Sequence, residues 1–219
     1  MYKYELINNH YIITIDGKKF LLDTGCPISF WLRTPIEKLT IDNHSFRLHS
    51  KPDVVNVNKV NNLVGIPVDG FVGLDIIMET SLTIYKNGRI DFASQDIDGV
   101  SIPLNTMGYL SFDVGCNLMS GRFIIDTGAK YAYGVKGLFH NKNSFAHISD
   151  YNPILGDLDG DLYHIDLVVA GNAKYIDICY NNNVASLARN MSAIIIGNIT
   201  TLFEEVIVID VRRKMLQIK

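Results

Sequence analysis

The chain writes one six-residue phrase twice. Phe20-Leu-Leu-Asp-Thr-Gly25 is answered by Phe123-Ile-Ile-Asp-Thr-Gly128, which sets Asp23 and Asp126 103 residues apart. A single Asp-Thr-Gly arises by chance in roughly one chain in twenty of this length. Two copies, each behind an aromatic and two branched aliphatic residues, are far rarer. The repeat therefore predicts two related halves, each delivering one carboxylate to a shared site.

The surroundings repeat as well. Tyr11-Ile-Ile-Thr-Ile15 is strand-like, Asp16-Gly17 is a hairpin-turn dipeptide, and Lys18 to Leu22 returns into the first triplet. In the second copy Tyr109 to Val114 is strand-like, Gly115 to Gly121 is turn-rich, and Arg122 to Ile125 returns. Farther on, Gly70-Phe-Val-Gly-Leu-Asp75 is matched by Ala193-Ile-Ile-Ile-Gly-Asn198, which pairs Gly73 with Gly197. Each half closes on a hairpin: Leu82–Tyr85 with Arg89–Phe92 around Asn87-Gly88, where a type I′ turn is expected, and Val206–Asp210 with Met215–Ile218. Val54 to Val60 alternates like a half-exposed strand, and Ile76 to Thr80 suits a short helical turn. Ser94 to Asn105 is the linker candidate, with Val100 to Leu104 able to pair at an edge. Long helical periodicity is absent, so the expected class is all-β, with halves at 1–98 and 99–219.

Bulk properties exclude several classes of function. The content is 47% hydrophobic and 20% charged, which is globular, and a net charge of −3 gives no reason to expect nucleic acid or an anionic membrane as partner. Cys26, Cys116 and Cys179 cannot all pair within one chain and match no zinc spacing, so neither a metal nor a cofactor is expected. The N-terminus lacks the apolar core of a signal peptide, and no run reaches the roughly 18 apolar residues of a membrane span. A cytoplasmic protein with reduced thiols is expected. Asp157-Leu-Asp-Gly-Asp161 lacks the spacing and closing glutamate of a calcium loop and reads as an exposed β-turn.

In each half, two aliphatic residues, Asp-Thr-Gly, a middle section, an apolar run with glycine and a final hairpin follow in that order. This frame resembles the aspartic proteases, both pepsin-like and retropepsin-like. Asp69-Gly-Phe-Val-Gly-Leu74, Ile195-Ile-Gly-Asn198, Val208-Ile-Asp210 and Trp31 look pepsin-like, whereas the length of each half resembles a retropepsin subunit. The resemblance implies two pseudo-symmetric β-barrel lobes with the cleft between them. It implies an endopeptidase acting on a protein or peptide substrate, with Asp23 and Asp126 catalytic. Thr24, Gly25, Cys26, Thr127, Gly128 and Ala129 would support them, the threonines by bonding across to the opposite loop. One chain supplies both aspartates, so the active unit is expected to be the monomer. With Asp23 so early in the sequence, no pro-segment and no zymogen stage are expected.

Two departures from the family pattern carry consequences. Cys26 and Ala129 stand where pepsin-like sites have a hydroxyl that bonds a catalytic carboxylate, and losing that donor shifts the expected pH optimum toward weakly acidic or neutral. Cys26 is read mainly as a space-filling residue and, alternatively, as a redox switch. The flap tyrosine expected in the first half is missing between Tyr11 and Tyr85. The flap is placed within His49 to Asn62, with a contribution from Gly156 to Asp161. The rival expectation is a peptide-binding module that keeps the frame without turnover. A glycosidase fits poorly, because its two carboxyls stand about 5 Å or more apart.

Overall fold

A computed structural model describes residues 1–116 and 119–219, and its secondary structure is mostly strand. The hairpin His10–Ile15/Lys18–Leu22 forms as its sequence dictates. Asp16 and Gly17 both take positive φ, 50° and 75°, the handedness that matches strand twist in a two-residue turn. The strand is buried on both faces: Tyr11, Ile13 and Ile15 enter the main core, and Ile12 joins Leu21, Phe30, Val60, Val64 and Phe71 in a second cluster.

The strand leading into each triplet has the same sequence of neighbours. Lys18–Leu22 runs parallel to Gly70–Val72, which is antiparallel to Phe30–Trp31, which is parallel to His49–Ser50. In the second half Met119–Ile125 runs parallel to Ile195–Gly197, which is antiparallel to Ala132–Gly134, which is parallel to Asn172–Tyr180. The closing hairpins meet, with Leu82–Tyr85 antiparallel to Val206–Asp210. Val100–Pro103 adds to Met215–Ile218 at one edge of that sheet, as expected of the linker. One core runs through both halves, including Leu22 and Ile84 from the first and Ile125 and Ile207 from the second.

Several local expectations need correction. Residues 57–64 form an α-helix, not a strand. Asn56 caps it by accepting from the Lys59 N–H at 3.1 Å, Gly65 ends it at φ 89°, and Val60 and Val64 lie four apart on its buried face. The predicted helical turn at 76–80 is the helix Leu74–Thr80. Among the two central residues at Asn87-Gly88 only the glycine has positive φ, and Arg89 pairs with Tyr85, so the loop has three residues instead of a type I′ pair. In the turn expected over 115–121, Gly115, Cys116 and Met119 to Gly121 are strand; residues 117 and 118 lie outside the described ones.

Asp157 to Asp161 is no turn either. It lies inside the 14-residue strand Gly156–Val169, where Leu158 and Gly160 point inward and Asp157 and Asp159 outward. The period-two alternation of Asp-Leu-Asp-Gly-Asp is what a strand with one buried face requires. The first-half flap range, 49–62, holds a two-residue strand and most of the helix, with no hairpin. Between the first triplet and that helix the hairpin present is Lys38–Ile41/His44–Arg47, and Tyr2 hydrogen-bonds Asp42 at its turn. Among the described residues no helix is long and apolar enough to cross a membrane.

Candidate active site

Each triplet begins where its strand ends. The Asp23 N–H donates to the Val72 carbonyl and the Asp126 N–H to that of Gly197, both at 2.9 Å, so each aspartate is the first residue beyond a parallel pair of strands. The chain then turns back: Cys26 N–H bonds Asp23 O and Ala129 N–H bonds Asp126 O, each at 3.2 Å. Inside each turn the aspartate side chain accepts two backbone N–H groups. Asp23 Oδ1 takes those of Gly25 and Cys26 at 2.9 and 3.0 Å, and Asp126 Oδ1 takes those of Gly128 and Ala129 at 3.1 Å.

The two turns are bonded to each other by their threonines. Thr24 N–H donates to Thr127 Oγ1 and Thr127 N–H to Thr24 Oγ1, both at 3.0 Å. Each hydroxyl donates onward to the opposite strand, Thr24 to the Ile125 carbonyl at 2.8 Å and Thr127 to that of Leu22 at 2.9 Å. Both threonines are buried, and all four bonds cross between the halves.

This clasp sets the carboxyls face to face. A Cβ on Gly25 would lie 2.6 Å from the Asp126 carboxyl, and one on Gly128 would fall inside that of Asp23. Only glycine permits this approach. Both carboxyls are half-buried, each set against the glycine of the opposite loop. Burial raises the Asp23 pKa well above the usual carboxylate range, and the Asp126 charge raises it further. Burial raises Asp126 too, while its proximity to Asp23 pulls the other way. The pair therefore retains one shared proton above the pH at which an ordinary carboxylate has lost its own.

The sign of the pH dependence follows. A carboxyl pair with raised pKa stabilises the fold fully below the ordinary carboxylate range and loses that contribution as pH rises through its own titration. Asp126→Asn is thus expected to unfold at higher urea than the parent near pH 7.5, by about 1–2 kcal/mol. The difference should vanish near pH 3.5, and urea melts at the two pH values check it.

Cys26 contributes a backbone N–H to the site but no side-chain donor to Asp23. Its Sγ lies 3.2 Å from the Ile28 carbonyl, and it packs against the second cluster beside Val57. Burial and the Asp23 charge push its thiol up to about 12, which keeps it protonated and argues for the space-filling role over the redox switch. Ala129 likewise offers its backbone N–H and no side-chain donor. The carboxyls thus accept backbone N–H groups of their own turns and no side-chain hydroxyl from residue 26 or 129.

Gly73 and Gly197 both sit at close approaches, but they are not counterparts. Leu22 is in register with Val72 and Ile125 with Gly197, so the residue answering Gly73 is Asn198. A Cβ on Gly73 would lie 2.8 Å from the Cys26 carbonyl, and one on Gly197 would collide with Ala132. Asn198, the last residue of the Ile195-Ile-Gly-Asn198 motif, supports the second loop: its amide donates to the carbonyls of Ala129 at 2.9 Å and Asn9 at 2.7 Å. On the first-half side Ser29 plays a comparable part. Its hydroxyl donates to Asp75 at 2.6 Å and accepts from the Gly73 N–H at 2.8 Å, tying the first loop to the helix Leu74–Thr80. Asp75 thus ties the first loop to the helix that follows it.

Two further groups lie close by. The buried Tyr133 donates its hydroxyl to Asp150, and the Asp150 charge reaches both Asp126 and His10. His10 is fully buried, and among the described residues neither ring nitrogen has a hydrogen-bond partner. Burial lowers its pKa below 6.5. Such a histidine takes up a proton more readily when unfolded, so it weakens the fold as pH falls through 6.5. His10→Leu should remove that component of acid sensitivity, seen as a flatter dependence of the thermal midpoint on pH between about 6.5 and 4.5.

Among the described residues no three or more His, Cys, Asp or Glu side chains converge as metal ligands. No protein-family model matches the sequence, and a search of curated proteins returns no match.

Proposed function

We propose that this protein is an aspartic endopeptidase whose two halves are pseudo-symmetric β-barrel lobes of the pepsin and retropepsin kind. The observation that carries the proposal is the reciprocal threonine clasp, which holds two carboxyls face to face on the ends of equivalent strands. The matched strand order around each triplet and the sheet shared by the closing hairpins support it.

The chemistry needs nothing beyond the pair. With one proton shared, the ionised carboxyl takes a proton from a water lying between Asp23 and Asp126 as that water attacks the peptide carbonyl carbon. The protonated carboxyl gives its proton to the carbonyl oxygen. As the tetrahedral diol collapses, the carboxyl that took the water's proton gives it to the leaving nitrogen and the other takes one from a diol hydroxyl, which restores the singly protonated pair. The backbone N–H groups of Gly25, Cys26, Gly128 and Ala129 hold the carboxyls in place, and Thr24 and Thr127 keep the loops together. Both aspartates belong to one chain, so the monomer suffices.

A diverse peptide library is the direct test. Cleavage is expected, with competitive inhibition by a statine-type peptide whose hydroxyl takes the place of the attacking water. Binding of library peptides with no cleavage at any pH between 3 and 8 would instead establish the rival reading, a peptide-binding module.

A further inference from the structure

We infer that the two-residue turn Asn8-Asn9 of the first half is a joint that positions the loop carrying Asp126, and that the buried His10 beneath it releases the joint on taking up a proton. The inference rests on Asp23 and Asp126 being the reaction centre and adds what regulates it.

The turn closes the hairpin Tyr2–Ile7/His10–Ile15, with Ile7 and His10 as the last cross-strand pair. Asn8 and Asn9 both take positive φ, 47° and 68°, the handedness of a two-residue hairpin turn. Their side chains reach different parts of the molecule. Asn8 donates to the carbonyls of Leu63 and Val64, at the end of the helix 57–64, at 3.3 and 3.2 Å. Asn9 donates instead to the Lys130 carbonyl in the second half, and its own carbonyl accepts from Asn198, which also holds Ala129. The turn thus ties the two residues after the second triplet to the first half. At the matching place in the first half stands Gly73, with no side chain to make such a bond, and Ser29 and Asp75 brace that loop from within its own half. The joint acts on one aspartate of the two.

His10 directly follows the turn. It is fully buried, and among the described residues neither ring nitrogen has a hydrogen-bond partner. A neutral imidazole tolerates this, but an imidazolium brings two N–H donors and a charge that must be satisfied. The charged groups facing it both come from the second half. Asp150, on the strand Ala146–Asn152, favours the proton, and Lys130, whose ammonium lies 5.2 Å from the Tyr131 ring, opposes it. The carbonyls beside the ring, those of Ile7 and Asn8, belong to the turn and are not bonded to it. On the other side Tyr11, Ile12 and Ile13 are core, whereas Asn8 is exposed. A protonated ring is therefore satisfied by moving or hydrating the turn, and either displaces Asn9 from Lys130 and Asn198. His10 and Asn9 are positioning residues, acting through the Ala129–Lys130 segment.

Heteronuclear NMR reads the joint without any need for turnover. Between about pH 7.5 and about pH 4.5 the His10 ring should titrate. The side-chain amides of Asn9 and Asn198 and the backbone N–H groups of Ala129 and Lys130 should share its midpoint, and those of Gly25 and Cys26 should lack that step. The step should vanish in His10→Leu and in His10→Gln, the second variant guarding against a leucine that packs badly. In the same variants the ratio of kcat/KM at about pH 5 to that at about pH 7 should rise roughly three- to tenfold over the parent's, because the acid limb no longer contains His10. A His10 that stays neutral throughout, loop amides that keep the step in both variants, or an acid limb unchanged in both would overturn the inference. An NMR step with no cleavage at any pH would instead refute the protease reading and leave the joint standing.

Discussion

Asp126→Asn, and equally Asp23→Asn, should leave a folded protein that cleaves peptides at least about 10²–10⁴-fold more slowly than the parent. An asparagine keeps the size of the carboxyl and still accepts a backbone N–H, so the loop and its threonine clasp survive. What it cannot do is share a proton. With Asp126 amidated, Asp23 has no partner charge to raise its pKa and no second group to exchange acid and base roles with. The loss should appear in kcat, because the water and the carbonyl oxygen meet these groups in the transition state. Circular dichroism and the urea midpoint provide the control: intact structure with a neutral-pH midpoint at or above the parent's separates lost chemistry from lost fold.

The second large effect concerns the clasp. Thr24→Val removes a hydroxyl that accepts from the Thr127 N–H and donates to the Ile125 carbonyl, and both partners are left buried without a bond. Two orphaned backbone groups at about 1–3 kcal/mol each put the destabilisation at about 2–6 kcal/mol. Thr127→Val does the same to the Thr24 N–H and the Leu22 carbonyl. Serine at either position keeps the oxygen and should recover most of the loss. Because these bonds cross between the halves, the valine variants should also lose activity through misplaced carboxyls. Equilibrium urea unfolding at fixed pH measures the first effect, and peptide turnover the second.

Much of this site was legible because its parts are local in sequence. Asp-Thr-Gly after a phenylalanine and two aliphatic residues encodes strand, turn and close approach in six residues, and the second copy implied a partner. The hairpin at Asp16-Gly17 and the two closing hairpins were legible for the same reason. What escaped was non-local or locally ambiguous. Val54-Val55-Asn-Val57 has a short-range alternation that imitates a strand, and the helix is signalled instead by the Asn56 cap and the Gly65 stop. Asp157 to Asp161 looks turn-rich by composition, yet its alternation is that of a strand whose partner, Ala146–Asn152, no local pattern identifies. Asn198 and Ser29 support the two loops through contacts set by the fold alone. The repeated Gly73 and Gly197 invited a pairing that the strand register shifts by one residue.

The dependence of kcat/KM on pH, from 3 to 8, tests most directly whether Asp23 and Asp126 act as one proton-sharing pair. It should be followed on a peptide found in the library and repeated with Asp126→Asn. The raised pair and the missing hydroxyls at Cys26 and Ala129 predict a bell with its maximum in weakly acidic to neutral buffer, abolished in the variant. Undiminished cleavage by Asp126→Asn, or a maximum confined to strong acid with no activity near pH 6, would contradict it.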